Sequence, residues 1–446
     1  MTVPDPAWLD ELFDWLRIES VSADPARADD VRAAGEWVCN FVRRAGGTCE
    51  LVPTEAGAPL VVGELRRSPG FENAPTVLLY GHFDVQPPGD PALWVSPPFE
   101  PEVRDGWIYG RGTGDDKGNF YPLLKAAALL AAEGALPVDT RVVCDGEEET
   151  GGHSIVDFLA ADERGADACV IFDSGMPAPG VPAFDIGARG LVYLHVRVRT
   201  GERDLHSGLF GGAALNAVHA LMQILAPVIG TPEELRAGAL APTDAELAAW
   251  GALEPGATVL ADEGARAADD RAAEDFYLRT FAGAAVDVNG IRGGEADLVK
   301  TVLPVEAHAN VSVRLAPGQD VMEMRAVFER LLRAAAPPGA DVDIEPLSTG
   351  APGIVPPDSS AVKLAQEAFE RVLGRTPLLL RTGGTLPIIP ALADRGIPAI
   401  VSGFTLPGSN LHAPNERFPL DHVPLGIEAA RETLVSLGRL EHRSPR

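Results

Sequence analysis

Residues 77–87 read VLLYGHFDVQP: an apolar run, a glycine, then His82 and Asp84. A short, wholly apolar run that stops at small and polar residues predicts a strand buried on both faces, the kind found in parallel sheets. Arg141-Val142-Val143-Cys144 and Ala168-Cys169-Val170-Ile171-Phe172 have the same character. Between the first two runs lies an Ala/Leu-rich helix, Tyr121–Ala132. Between the last two, Ser154 is placed to cap a helix through Ile155, Phe158 and Leu159. Amphipathic helices near 6–18 and 27–45 precede them. This is the βαβ alternation of a mostly parallel sheet.

Further along, the texture changes near Arg189-Gly190. Leu191–Arg199 (LVYLHVRVR) alternates apolar and polar residues, as a strand with one wet face does. A helical stretch follows at Ala213–Leu225, then a long acidic, Ala-rich segment at about 228–275. Val305–Leu315 alternates again and Met322–Ala335 reads as a helix. After residue 351 the first texture returns, with a helix over Ser360–Leu373, an apolar run at Ile397–Ser402 and a last helix at Gly426–Leu437. The expected fold is α/β: a larger, mostly parallel-sheet domain (1–189 and 351–446) with an inserted smaller α+β domain, built on an antiparallel sheet, at 190–350.

The chain has 446 residues, 46% of them hydrophobic and 23% charged, with 37 Lys and Arg against 64 Asp and Glu. A formal charge of -27 argues against a nucleic-acid partner, which needs a basic surface. Cys39, Cys49, Cys144 and Cys169 show no paired spacing, so free thiols in a reducing compartment are expected. The first residues lack a basic region followed by an apolar core, and no apolar run reaches membrane-spanning length. The expected location is cytoplasmic, away from membranes.

The polar clusters fall at strand exits. His82 and Asp84 follow the first run, and Asp115 and Asp116 (GRGTGDDKG) follow Trp107-Ile108-Tyr109. Glu147, Glu148 and Glu149 follow Cys144, Asp173 follows Phe172, and His412 lies in a loop beyond Ile400-Val401-Ser402. Ligands of open α/β sheets gather outside the carboxyl ends of the strands. Five such exits bearing His or carboxylate make one acidic pocket. Crowded carboxylates repel and resist desolvation, and divalent cations relieve both costs. Two histidines with carboxylates and no thiolate suit zinc, manganese or cobalt. Two ions about 3.5–4 Å apart would form a hydrolytic pair.

GHFDVQP, YGRGTGDDKGN, GEEETGG, ACVIFDSG, DLHSGLFGG, VSVRLAP and LHAPNE occur in that order across nearly the whole chain. Together they resemble the co-catalytic zinc peptidases of the aminoacylase, glutamate carboxypeptidase and carnosinase family. DLHSGLFGG and the acidic segment behind it are most similar to the carnosinase-type dipeptidase branch. The resemblance implies two divalent ions per subunit, zinc first, with manganese or cobalt possible. His82, Asp173 and a bridging Asp115 would hold one ion; Glu149, His412 and the same Asp115 would hold the other. Asp84 would orient His82, and Glu148 would be the general base. A cis peptide would follow Asp115. From the inserted domain, His206 would stabilise the oxyanion, usually in the active site of the partner subunit of a homodimer, and Arg314 would grip the substrate carboxylate. Gly383, Gly384 and Thr385 would line the substrate. The implied reaction is hydrolysis of the amide bond of a dipeptide or short peptide with a free carboxylate, by metal-bridged hydroxide. Deacylation of N-acyl or N-carbamoyl amino acids could use the same site, and a binding protein that has lost catalysis is the non-enzymatic alternative.

Overall fold

The structure, a computed structural model, describes residues 4–54, 57–384 and 387–441. The chain divides into two units: Met1–Ile186 with Val355–Leu380 and Ala391–Arg446, and Gly187–Ile354 with Arg381–Pro390.

In the first unit the elements begin α1 (Pro6–Leu16), α2 (Ala28–Arg44), β1 (Thr48–Val52), β2 (Leu60–Leu65), β3 (Thr76–His82), β4 (Glu102–Arg104), β5 (Trp107–Tyr109), α3 (Lys117–Ala132), β6 (Asp139–Asp145), α4 (Ser154–Ala161) and β7 (Ala168–Phe172). One six-stranded sheet runs in the order β1-β2-β6-β3-β7 and then Ala399–Ser402. β6, β3, β7 and Ala399–Ser402 are mutually parallel; β1 and β2 are antiparallel. The middles of the parallel strands are apolar because helices leave neither face to water, and Val77, Leu79, Val142, Val143 and all of Ala168–Phe172 are wholly buried.

α1 docks by stacking Trp15 on Trp37 of α2, ring centroids 4.7 Å apart. α2 carries Asp29 and Asp30 in its first turn and Arg43 and Arg44 in its last, matching the helix dipole. α3 starts at Lys117, ahead of the expected Tyr121, since Lys117–Leu124 are all buried despite their polar start. The Lys117 ammonium donates to the carbonyls of Trp15 (3.1 Å) and Ile18 (2.8 Å), which makes its burial possible. The chain just beyond α1 is laced to the β3 exit as well: the Ser20 hydroxyl donates to the Phe83 carbonyl at 2.6 Å, and Val85 N donates to the Ser20 carbonyl at 2.9 Å.

Ser154 is not the cap expected of it. It is the first residue of α4, and its amide and hydroxyl both donate to Glu147 Oε1, at 3.1 and 2.6 Å. Glu147 therefore satisfies the helix start. Cys144 and Cys169 are buried strand residues, but Cys39 and Cys49 are neighbours whose sulfurs lie 2.8 Å apart, a proximity their spacing did not reveal. Among the described residues no helix is long and apolar enough to cross a membrane.

The second unit holds a four-stranded antiparallel sheet in the order Ala285–Gly293, Glu306–Leu315, Gly190–Arg199, Asp341–Gly350. Val192, Leu194, Val196 and Val198 alternate inward and pack with Leu221, Ile224, Phe328 and Leu332 of two helices, Ala217–Leu225 and Val321–Ala334. The first of these starts later than Ala213 because the Asn216 side chain accepts from Val218 N and His219 N and caps it. On the other face of the sheet, Asn310, His195, His308 and Glu306 form a hydrogen-bonded row.

The acidic segment folds into short helices at Glu233–Arg236, Asp244–Trp250 and Gly256–Asp262. A capping box of Thr243 and Glu246 starts the middle one. Glu246 is buried against Arg381, whose guanidinium also donates to the Leu240 and Ala241 carbonyls. That anchor draws Arg381–Pro390 into the second unit, whereas the sequence boundaries gave all of 351–446 to the first.

Candidate metal centre

Because β6, β3, β7 and Ala399–Ser402 are parallel neighbours, their carboxyl ends share one edge of the sheet. His82 ends β3, its register partner Asp145 ends β6, and Asp173 follows β7. The His82 ring is fully buried. Its Nε2 lies 2.9 Å from Asp115 Oδ1 and 3.9 Å from Asp173 Oδ1. Its Nδ1 lies 3.0 Å from the Asp84 carbonyl and 3.4 Å from the Asp84 carboxylate. Asp84 therefore meets His82 with both backbone and side chain, which fixes the ring's tautomer with Nε2 facing the site. The Asp84 carboxylate also accepts from Glu148 N (3.3 Å) and Glu149 N (3.1 Å), so it ties the β3 exit to the glutamate turn.

Asp115 comes from outside this sheet, on the loop between β5 and α3, and the Asp115–Asp116 peptide is cis. Its two oxygens face different imidazoles: Oδ1 meets His82, and Oδ2 lies 2.9 Å from His412 Nε2. His412 Nε2 is also 3.2 Å from Glu149 Oε2. His412 holds a positive φ of 59°, as do Asn410 and Asn415 in the same loop, a conformation that non-glycine residues adopt when their surroundings impose it.

Two donor groups result. His82, Asp116 and Asp173 present ligand atoms within 4.8 Å of one another, and so do Asp115, Glu149 and His412. Imidazole nitrogens with carboxylate oxygens and no thiolate fit zinc, manganese or cobalt. Asp116, which the sequence reading treats only as a neighbour, is wholly buried; Oδ2 accepts from His82 N at 3.2 Å, and Oδ1 has no hydrogen-bond partner among the described residues.

The electrostatics point the same way. Burial, with Asp173 and Asp115 nearby, pushes Asp116 well above the carboxylate range, and burial does the same to Asp173. Burial pushes Glu148 up to about 7. Burial also opposes the charge on Asp115, but the His412 and His82 contacts win and hold it low. Burial disfavours the His82 cation, yet Asp115 and Asp84 raise it, and Asp115 and Glu149 carry His412 up to about 10. The carboxylates outnumber the two imidazoles, and divalent cations would balance that excess.

Two supporting side chains escaped the sequence reading. Gln86 donates from its backbone N to Glu149 Oε1 (3.1 Å) and from Nε2 to Glu149 Oε2 (2.8 Å). Glu416, fully buried, accepts from Arg111, Gly112 N, Gly114 N and Asp115 N. Both sit in motifs already noted, GHFDVQP and LHAPNE. A buried carboxylate in a loop is the one signal that could have marked Glu416, and burial cannot be read from one residue in a loop.

His82, Asp84, Asp115, Glu148, Glu149, Asp173 and His412 are thus gathered in the first unit. His206, Arg314 and Gly384 belong to the second. His206 is exposed at the end of a two-residue strand, its Nδ1 accepting from Gly208 N at 3.0 Å. Arg314 is half-buried on Glu306–Leu315, and Gly384 is exposed. Thr385 lies outside the described residues. Arg189 was not foreseen: burial and the nearby Arg314 charge bring its pKa down to about 10, and its guanidinium donates to the Gly383 carbonyl.

The family model described as Peptidase family M20/M25/M40 matches residues 78–436. The chain is 29% identical to a cysteinylglycine-S-conjugate dipeptidase of Corynebacterium striatum, over 96% of this chain and 95% of that protein. It is 27% identical to a Beta-Ala-His dipeptidase of Homo sapiens, over 86% of this chain and 84% of that protein. Its fold is similar to that of an M20 family metallo-carboxypeptidase of Sulfolobus solfataricus, with TM-score 0.86 and 24% identity over 98% of this chain and 100% of that one.

Proposed function

This chain belongs to peptidase family M20/M25/M40, and from that premise we propose that it is a metal-dependent dipeptidase acting on dipeptides with a free carboxylate through two divalent ions. The observation that carries the reading is the stance of Asp115, one oxygen toward His82 and the other toward His412. One carboxylate facing two imidazoles is suited to bridging two cations. His82, Asp115 and Asp173 would hold one; Glu149, His412 and Asp115 the other. Bound cations of this kind polarise a carbonyl and lower the pKa of a water.

The chain's own residues supply the rest. Glu148 stands beside these ligands on the turn that Asp84 fixes, and takes the proton of the attacking water at its carboxylate. It returns that proton to the amide nitrogen as the C–N bond breaks, so the free amine leaves neutral. His206 donates to the oxyanion, and Arg314, with Arg189 near it, pairs with the substrate carboxylate. Zinc is the first choice of metal. Exposed apolar side chains on the second unit, among them Leu209, Met222, Ile229 and Ile291, support a homodimer.

The test is a hydrolysis screen of the protein loaded with zinc, manganese or cobalt. Dipeptides, with cysteinylglycine and β-alanylhistidine among them, are set against N-acetyl and N-carbamoyl amino acids. Turnover confined to the N-acyl or N-carbamoyl compounds would replace the dipeptidase reading, and no turnover with any metal would remove the enzyme.

A further inference from the structure

We propose that the buried pair Arg111–Glu416 is a positioning device that holds Asp115 and His412 in register for metal binding. The proposal rests on the two-metal reading above. Glu416 lies four residues beyond His412 in the chain and is wholly buried. Its carboxylate gathers four donors. Oε2 accepts from Arg111 Nη1 at 2.5 Å and from Gly112 N at 3.2 Å; Oε1 accepts from Gly114 N at 2.8 Å and from Asp115 N at 3.1 Å. Its own carbonyl accepts from Gly110 N at 3.0 Å, and Arg111 donates to the Pro87 carbonyl at 3.3 Å.

The same two stretches are joined on either side. Arg417–Pro419 pairs antiparallel with β5, and Arg417 N donates to Ser409 O at 2.9 Å, closing the loop that bears His412. The stretch that presents Asp115 is thereby fastened to the stretch that presents His412, about three hundred residues away in sequence. The loop needs this external support. Gly112 has a φ of +81°, and a Cβ on Gly114 would lie 2.6 Å from Leu411 Cδ2. With so little side chain, the loop turns a row of backbone N–H groups onto one anion, a nest whose charge Glu416 completes. Glutamine at this position would offer one acceptor oxygen and turn an NH₂ toward further donors. It would also leave Arg111 buried without its counter-charge.

A merely structural ion pair would affect stability alone; a positioning pair must also change metal affinity and coordination. Metal-free protein is titrated with cobalt(II) and followed by its visible absorption, for wild type, Glu416→Gln, Arg111→Lys and Asp162→Asn. Asp162 is the control, since its carboxylate pairs bidentately with Arg141 elsewhere in the same unit. Glu416→Gln is expected to bind cobalt at least about tenfold more weakly, with an altered spectrum, as groups that orient metal ligands do when changed. Asp162→Asn is expected to lower Tm and leave cobalt affinity unchanged. Wild-type affinity and spectrum in Glu416→Gln would overturn the proposal. Should that variant not fold, Arg111→Lys decides: weaker cobalt binding at an unchanged Tm supports the device, and unchanged binding removes it. A wild-type protein that takes up no cobalt would overturn the two-metal reading and this inference together.

Discussion

Gln86 grips both oxygens of Glu149, its backbone N reaching Oε1 at 3.1 Å and its side-chain Nε2 reaching Oε2 at 2.8 Å. The carboxylate is thereby held in one rotamer with Oε2 toward His412. Gln86→Ala removes the side-chain bond and leaves Glu149 held on this side by the backbone N–H to Oε1 alone. Metal affinity is expected to fall about tenfold while the fold is kept, the usual cost of losing a group that orients a ligand. Isothermal titration of the metal-free variant with zinc measures this; affinity equal to wild type removes Gln86 from the support of the site.

Glu148→Gln keeps the shape of the turn and deletes the proton acceptor. Bound metal should be unchanged and kcat should fall at least about a hundredfold, the low end for a general base. Metal content by elemental analysis, beside steady-state kinetics, checks both halves. Near-wild-type turnover with full metal would exclude Glu148 from proton transfer.

His206→Ala changes a residue of the second unit whose ring accepts from Gly208 N and whose backbone pairs with Val302. It is expected to leave metal content alone and to lower kcat by about 10²–10³, as loss of an oxyanion donor does. Loss of metal in this variant would instead make His206 a ligand.

Asp185 offers a pH test on a group that is not itself a ligand, although its partner Ser174 adjoins Asp173. It is buried, burial raises its pKa to about 6 against a hydrogen bond from Ser174, and an unfolded chain returns it to about 4. Between those values the folded state holds the proton and the unfolded state does not, so folding loses stability as pH rises from 4 to 6 and nothing further above that. The full effect is about 3 kcal/mol. Asp185→Asn cannot ionise, so its Tm relative to wild type should climb across that window and level off near pH 7. A difference independent of pH would show that Asp185 keeps its ordinary pKa.

Chelation should abolish turnover and lower Tm, with both restored by zinc. A ligand that binds only the folded state stabilises it by about 2.7 kcal/mol at a hundred times its Kd. Activity that survives exhaustive dialysis against chelator would contradict the metal requirement.

Much of the first unit is legible because burial on two faces leaves a plain mark: VLLY, VVC and ACVIF can hardly be anything but interior strands, and His82 and Asp173 stand where those runs stop. Parts that depend on partners distant in the chain left no such mark. Lys117 looks like a turn residue until its ammonium is seen against two carbonyls at the end of α1. Ser154 has the composition of a cap, yet Glu147 does the capping from seven residues away. Arg381 carries no mark of its role in the sequence, and its bonds to Glu246, Leu240 and Ala241, in a segment with no apolar period, draw it into the second unit. Gln86 and Glu416 lie in motifs that could be quoted, but what they bond to is decided by tertiary structure.

The Lys117 contact has a practical side. The ammonium that ends on Trp15 and Ile18 belongs to the residue beside Asp116, and Ser20 is bonded to the residue after His82. The opening segment is therefore wired to the stretches that carry His82 and Asp116 rather than draped over them. Anyone trimming this protein for crystallisation, or fusing a reporter in place of its first twenty or so residues, would be editing the candidate metal centre from behind.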